Sequence, residues 1–302
     1  MTSLLLSFLL AFSLLPNDET LELMHEGETI VSLHREEFFD PVLGQTTIEQ
    51  NKLEELIDNV EKQVYKAPVN ATLGTYGEII EEQIGYRLDR QMFQEHFYDY
   101  FYSNEQRVVD VPLLKQFPKV DTDLLQSIRA EQVGAYATYF NTGNKQRVNN
   151  IELASAAINN RVIFPGERFS FNEVVGMRTA ERGYMAAPII VRGELSEGIG
   201  GGICQVSSTL FNAIDKAALT INERYTHSKR VTYVPPGRDA TVSWYGPDFV
   251  FTNNHNQPIL IIAKAYTGTL VVKVFSSEKI DYEPRKVPSA PNRLPKEVRG
   301  SN

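Results

Sequence analysis

The chain has 302 residues, room for about two domains at roughly 150 residues each. Its 42% hydrophobic, 10% aromatic and 23% charged residues exclude global disorder, and they supply enough apolar surface for cores without metal or disulfide staples. A net charge of −8 argues against a nucleic-acid binder, and a single cysteine, Cys204, excludes an internal disulfide or a cysteine-based zinc cluster.

Leu4 to Leu15 (LLLSFLLAFSLL) is an unbroken apolar run of twelve residues, whereas a membrane span needs about twenty. Serines are its only polar members, so it lacks the periodic polar face of an amphipathic core helix. Residues 1–16 therefore read as a signal or short anchor segment. No Lys or Arg precedes the run and no clear A-x-A site follows it, which leaves cleavage and retention both open. Either way the chain is expected outside the cytoplasm, in the wall or on the outer face of the membrane. A leftover thiol in an exported chain calls for a chemical explanation.

From Thr47 onward, Ile48, Leu53, Leu56, Ile57, Val60 and Val64 recur at helical spacing, with Thr47 and Gln50 as a capping box and Pro68 as the stop. Ala71 to Tyr76 and Arg107 to Val111 read as short strands. Between them Leu88, Met92, Phe93, Phe97, Tyr100 and Phe101 predict an amphipathic helix. Its aromatic cluster (Phe97, Tyr98, Tyr100, Phe101, Tyr102) is expected to be core more than a sugar-stacking platform. Residues 17–118 thus predict a small α+β domain, and the polar stretch Gln116 to Thr122 the joint.

In the second half, Ile151, Ala154, Ala157 and Ile158 predict a helix and Arg161 to Phe164 a strand. From Arg230 to Phe275 the runs VTYV, ATVSWY, FVFTN, PILIIA and TLVVKVF, separated by turn residues, predict antiparallel strands. Residues 119–276 are therefore a second α+β domain with a β-rich C-terminal half. Residues 277–302 hold four prolines, six basic residues and one aromatic, which predicts a disordered extension.

The chemistry concentrates at Gly198-Ile199-Gly200-Gly201-Gly202-Ile203-Cys204-Gln205-Val206-Ser207-Ser208-Thr209-Leu210. Glycines before the cysteine free the backbone for positive φ, and Val206, Leu210, Ala213, Ile214 and Ala217 then follow helical spacing. Cys204 sits at, or one residue from, a helix N-terminus, where unpaired N–H groups and the helix dipole favour a thiolate. The N–H groups near Gly202 and Gln205 are positioned to hold an oxyanion. A small buried hydrophobe after a tight turn is the alternative.

A thiol nucleophile wants an imidazole and a third group that orients it. Of five histidines, His25 and His34 lie near the terminus, His96 on a helix, and His255 in a polar turn where it is expected to be solvated. His227 follows the cysteine helix and is the candidate base. Asp239 is the candidate orienting acid, and Arg238 can grip a carboxylate bidentately. No metal-ligand spacing such as H-E-x-x-H occurs, so no cofactor is expected.

From Arg147 to Ile262 the motifs Asn150-Ile151-Glu152-Leu153-Ala154, Pro165-Gly166-Glu167-Arg168-Phe169-Ser170-Phe171-Asn172, Thr179-Ala180-Glu181-Arg182-Gly183-Tyr184, Gly200 to Leu210, Arg224-Tyr225-Thr226-His227-Ser228 and Tyr233 to Val242 follow in that order. In order and spacing this tract closely resembles the VanW domain of bacterial cell-envelope proteins. The region from about Thr47 to Pro118 looks like the peptidoglycan-binding domain that often precedes it. The resemblance implies a cell-wall role, and for some VanW domains L,D-transpeptidation through the motif cysteine, here Cys204.

The expectation is an exported cysteine acyltransferase acting on peptidoglycan stem peptides. Cys204, His227 and Asp239 are its catalytic residues, with Arg238, Arg224 and Ser208 on the substrate. A non-catalytic wall-binding accessory protein is the alternative. Cross-linking and carboxypeptidase outcomes both remain open.

Overall fold

The computed structural model describes residues 20–103, 107–191 and 194–292, so the apolar run at Leu4 to Leu15 lies outside the described residues. Among those residues no helix is long and apolar enough to cross a membrane. The architecture is α+β, and the chain divides into two compact units: residues 1–70 with 82–119, and residues 71–81 with 120–302. The chain passes between the units three times, after residues 70, 81 and 119, the last within the stretch Gln116 to Thr122. The short segment 71–81, whose strands Thr72–Leu73 and Ile79–Ile80 pair with each other, belongs to the second unit, which local sequence does not announce.

In the first unit, β1 (Thr20–His25) pairs antiparallel with β2 (Glu28–His34) and parallel with β4 (Arg107–Asp110), while β3 (Gly85–Leu88) pairs with β5 (Leu113–Gln116). Helix α1 (Gln50–Val64) buries Leu53, Ile57, Val60 and Val64, and α2 (Arg90–Ser103) buries Phe93, Phe97, Tyr100 and Phe101. These faces form one core, so the aromatic cluster is packing material, apart from the exposed Tyr102. The expected capping box at Thr47 does not form. Thr47 lies in the strand Gly44–Ile48, and the helix starts after Glu49, whose N–H donates to the Phe38 carbonyl at 2.9 Å. Ribbon pairing of Phe39 with Ile48 overrides the local capping signal. Leu88 likewise ends a strand and does not begin the helix.

The second unit is built on a four-stranded antiparallel sheet in the order β6 (Glu131–Tyr139), β14 (Thr269–Ser276), β13 (Ile259–Tyr266), β7 (Arg161–Ile163). Helix α3 (Thr122–Ile128) precedes it, capped by Asp121 on the Leu124 N–H at 2.7 Å. Helix α4 (Lys145–Ile158) is followed by β8 (Arg168–Ser170) and the one-turn α5 (Phe171–Val175). A hairpin, β9 (Ala186–Val191) with β10 (Glu194–Ile199), leads into α6 (Ile203–Lys216). Strands β11 (Thr220–Glu223) and β12 (Val250–Thr252) then join β8 in a small sheet. Val206, Leu210, Ala213 and Ile214 of α6 are fully buried, each worth about 1–3 kcal/mol of transfer free energy.

Two of the five expected C-terminal strands are absent. The tracts VTYV and ATVSWY are irregular, and the one β-bridge within them joins Thr241 to Tyr225. The expected disordered extension is also corrected. Ile280, Tyr282 and Val287 pack on the core and Ala290 is buried within it. Arg285 bonds Asp215 at 2.9 Å and the Leu219 carbonyl at 3.2 Å, satisfying groups at the C-terminal end of α6. A proline-rich composition therefore marks an extended strap here, because a few apolar and charged anchors suffice to hold it. His255, expected in solvent, is buried and its Nε2 meets the Ala217 carbonyl at 2.8 Å.

Gly134 on β6 sets how closely α6 approaches the sheet. A Cβ there would collide with the Ala213 carbonyl oxygen and come 3.1 Å from the Ala217 Cβ. Gly134→Ala is expected to cost about 1–3 kcal/mol by overpacking, read as a lowered denaturation midpoint. An unchanged midpoint would show that the helix yields freely.

Candidate active site at the amino end of helix α6

Gly202 is the N-cap of α6 at φ 109°, a left-handed conformation that a side chain resists. A Cβ there would also press on Arg147 Cγ at 3.1 Å and Ile151 Cγ1 at 3.0 Å. Buried Asn150 holds this turn, donating to the carbonyls of Gly201 (3.0 Å) and Met185 (2.8 Å) and accepting from the Met185 N–H at 2.8 Å. Cys204, the second helical residue, is thus delivered half-buried at the positive end of the helix.

Helix α6 is polar on one buried side, and that side holds the partner loop. Ser207 Oγ donates to the Ala240 carbonyl at 2.5 Å, the Ala240 N–H donates to Ser208 Oγ at 2.9 Å, and Asn212 Nδ2 donates to the Arg238 carbonyl at 2.8 Å. These bonds bracket Asp239. Its carboxylate accepts the His227 backbone N–H at 2.7 Å and meets His227 Nδ1 at 2.6 Å, with both side chains under 10% exposed, at 7% for His227 and 9% for Asp239. With Nδ1 committed to Asp239, Nε2 is the nitrogen left for the Cys204 thiol, which lines the same cavity and lies within electrostatic reach of the ring. The sulfur also lies 3.7 Å from Thr241 Oγ1 and 3.5 Å from the Val242 carbonyl. Residues that read as strand therefore form the wall of the site.

Burial alone would push the thiol pKa up. The hydrogen bond and charge of His227 and the Thr241 hydroxyl outweigh it, and Cys204 lies below the ordinary thiol range. Burial likewise pulls His227 down, but Cys204 and Asp239 prevail and raise it. Both shifts act in favour of a thiolate–imidazolium pair, the nucleophilic form of such a couple.

Other expected residues take different parts. The Gln205 N–H donates to the Gly202 carbonyl at 3.0 Å, and its buried side chain bonds Thr138, Tyr139 and Arg147, so Gln205 has no donor to spare for an oxyanion. Among the described residues no acceptor lies on the Gly202 or Cys204 N–H, and these two remain as donors. Arg238 is bound to Asp215 at 2.7 Å and Asn212 at 2.7 Å over the Phe211 ring, and does not reach for a ligand. Arg224 donates to the Asp239 carbonyl at 2.7 Å and stacks on the same ring, so it supports the acid from behind. Ser208 is fully buried and bonds the Cys204 carbonyl at 2.7 Å. Substrate contact is thus corrected to scaffold for Arg238, Arg224 and Ser208, because motif position says nothing of which way a side chain turns.

A cavity of about 760 Å³ opens over Cys204 and His227, walled by Tyr233, Thr241, Trp244 and Tyr245 among others. Arg147 and Arg178 line it too. Sequence reasoning did not single them out, although Arg178 stands directly before the Thr179 motif. Among the described residues no three His, Cys, Asp or Glu side chains gather as a metal site would require.

The family model described as "VanW like protein" matches residues 146–275. The chain is 52% identical over 291 residues, 96% of both chains, to the uncharacterized protein YoaR of Bacillus subtilis (strain 168). It is 34% identical over 104 residues to the vancomycin B-type resistance protein VanW of Enterococcus faecalis (strain ATCC 700802 / V583), a match covering 33% of this chain and 38% of that protein. No solved structure matches the chain.

Two outcomes follow from the geometry. Alkylation of Cys204 by iodoacetamide should show its inflection below that of free cysteine, since the paired thiol ionises early. His227→Ala should move the inflection up by about a pH unit or more; equal inflections would mean that the imidazole does not tune the thiol. Arg238→Ala should leave that inflection in place yet lower stability by about 1–3 kcal/mol, through the lost charged hydrogen bonds, measured by chemical denaturation.

Proposed function

The chain belongs to the VanW family, and we propose that it is an exported cysteine acyltransferase of peptidoglycan, of L,D-transpeptidase type. The supporting observation is the contiguous Cys204, His227 and Asp239 at the start of α6, open to a peptide-sized cavity. The association of a VanW protein with vancomycin resistance favours a cell-wall substrate, and the apolar N-terminal run favours work outside the membrane.

In this reading Cys204 Sγ attacks the carbonyl carbon of the third stem residue. A C–S bond forms, and the Gly202 and Cys204 N–H groups take the oxyanion. As the tetrahedral adduct collapses, the C–N bond to the terminal D-amino acid breaks. His227 passes the proton taken from the thiol to the departing amine. An amine of a neighbouring stem, or water, then attacks the thioester and gives its proton to His227 while the sulfur leaves. Asp239 keeps Nδ1 occupied and the ring in line throughout.

Intact mass spectrometry after incubation with a disaccharide-tetrapeptide tests this. The expected product is an adduct on Cys204 lighter than the donor by one terminal amino acid. Cys204→Ala should form none, and Cys204→Ser almost none, because a hydroxyl ionises far less readily beside the same base. His227→Ala should reduce kcat/KM by about 10²–10⁴, and Asp239→Asn by less, since the helix dipole already favours the thiolate. Full cross-linking by the Cys204→Ala protein would sink the reading.

A further inference from the structure

The cavity over Cys204 is cationic in a chain of net charge −8. Arg147 and Arg178 line it beside the Cys204–His227 pair, which is neutral overall, and among the described residues no Asp or Glu does. Arg147 is occupied, its Nη2 on Gln205 Oε1 at 2.8 Å. Arg178 is not fully occupied. Its Nη2 donates to Asn172 Oδ1 at 2.8 Å, but Nη1 is sealed from water with no hydrogen-bond partner among the described residues.

A guanidinium nitrogen left buried and unpaired costs stability, so its retention needs a counterpart. The side chain is also held in place. Asn172, itself buried, fixes Nη2 while its own amide donates to the carbonyls of Ser243 (3.0 Å) and Pro247 (3.2 Å), and the guanidinium lies over the Phe171 ring at 5.8 Å. Asp248, the carboxylate in its field, is taken up by Ser170 Oγ (2.5 Å) and the N–H groups of Asn172 (2.9 Å) and Phe249 (2.7 Å). The Arg178 guanidinium thus borders the cavity with no hydrogen-bonded carboxylate among the described residues.

We propose that Arg178 is the specificity-determining residue of this site and receives the free C-terminal carboxylate of the acyl donor, so that the bond broken is the last one of the peptide. This rests on the acyltransferase reading for the position of the scissile bond. Arg178 lies within electrostatic range of the Cys204 sulfur. A terminal carboxylate stands about one residue step, ~3.8 Å between α-carbons, beyond the attacked carbonyl. Trp244, Tyr245 and Ile199 offer the apolar wall against which the rest of the peptide would lie.

The probe is the tetrapeptide L-Ala-γ-D-Glu-L-Lys-D-Ala as free acid and as C-terminal amide, titrated calorimetrically into the full chain carrying Cys204→Ala. The acid is expected to bind at least about tenfold more tightly than the amide, the scale of one charge-assisted bidentate contact. Arg178→Met should erase the difference and Arg178→Lys retain part of it. Equal affinity for acid and amide in the Cys204→Ala chain, which needs no change at Arg178, overturns the inference, as does full preference in Arg178→Met. A preference for the acid in a chain whose intact Cys204 never acylates would uphold the carboxylate site and remove the transferase reading. Acylation of equal rate by acid and amide would do the reverse.

Discussion

Everything at the site hangs on the buried polar side of helix α6. An ordinary core helix turns its polar face to water, yet Gln205, Ser207, Ser208, Thr209 and Asn212 are all fully buried. Each is satisfied, and the partners of Ser207, Ser208 and Asn212 are backbone groups of residues 238–240. Because an unpaired buried polar group is costly, those bonds form together or the helix does not seat. Packing of the helix and placement of Asp239 are consequently one event. Within the irregular tract from Val231 to Tyr245, the carbonyls of Arg238 and Ala240 and the Ala240 N–H are bonded by helix side chains in place of a strand partner.

That arrangement explains what the amino-acid sequence disclosed and what it hid. Cys204 at a helix start after glycines is a local pattern, and local rules suffice to read it. His227 and Asp239 were legible because a thiol needs an imidazole and an orienting acid, and few residues could serve. The orientation of Arg238 was not legible: whether it faces a ligand or Asp215 depends on a helix neighbour 23 positions away in the chain. The same holds for Gln205, whose N–H is consumed by the turn at Gly202. The runs VTYV and ATVSWY mimic strands because apolar residues that pack on the core, such as Val234, Ala240 and Val242, recur among exposed or cavity-lining ones.

Misreadings in the rest of the fold have a common origin in pairing over long range. Thr47 carries a good capping signature but is captured by a ribbon with Phe39. Residues 277–292 have the composition of a free extension, yet Tyr136 Oη reaches the Pro288 carbonyl at 3.0 Å and Arg285 clasps the end of α6. Composition averages over such a segment, whereas a strap needs only a few anchor points to be held. Two α+β units, a helix that carries the thiol and a strap that closes its far end are the result.

The solitary cysteine carries a consequence for the protein's lifetime in an oxidising setting. A sulfenate formed at Cys204 would find no second thiol in the chain to convert it to a disulfide, so its repair depends on a small-molecule thiol entering the cavity, and otherwise it proceeds to the irreversible acids. A lowered thiol pKa, which equips the sulfur for attack, also makes it the preferred target of peroxide. Packing of Thr241 and Val242 against the sulfur then limits the access of peroxide, and a variant that opens this cover would be expected to oxidise faster.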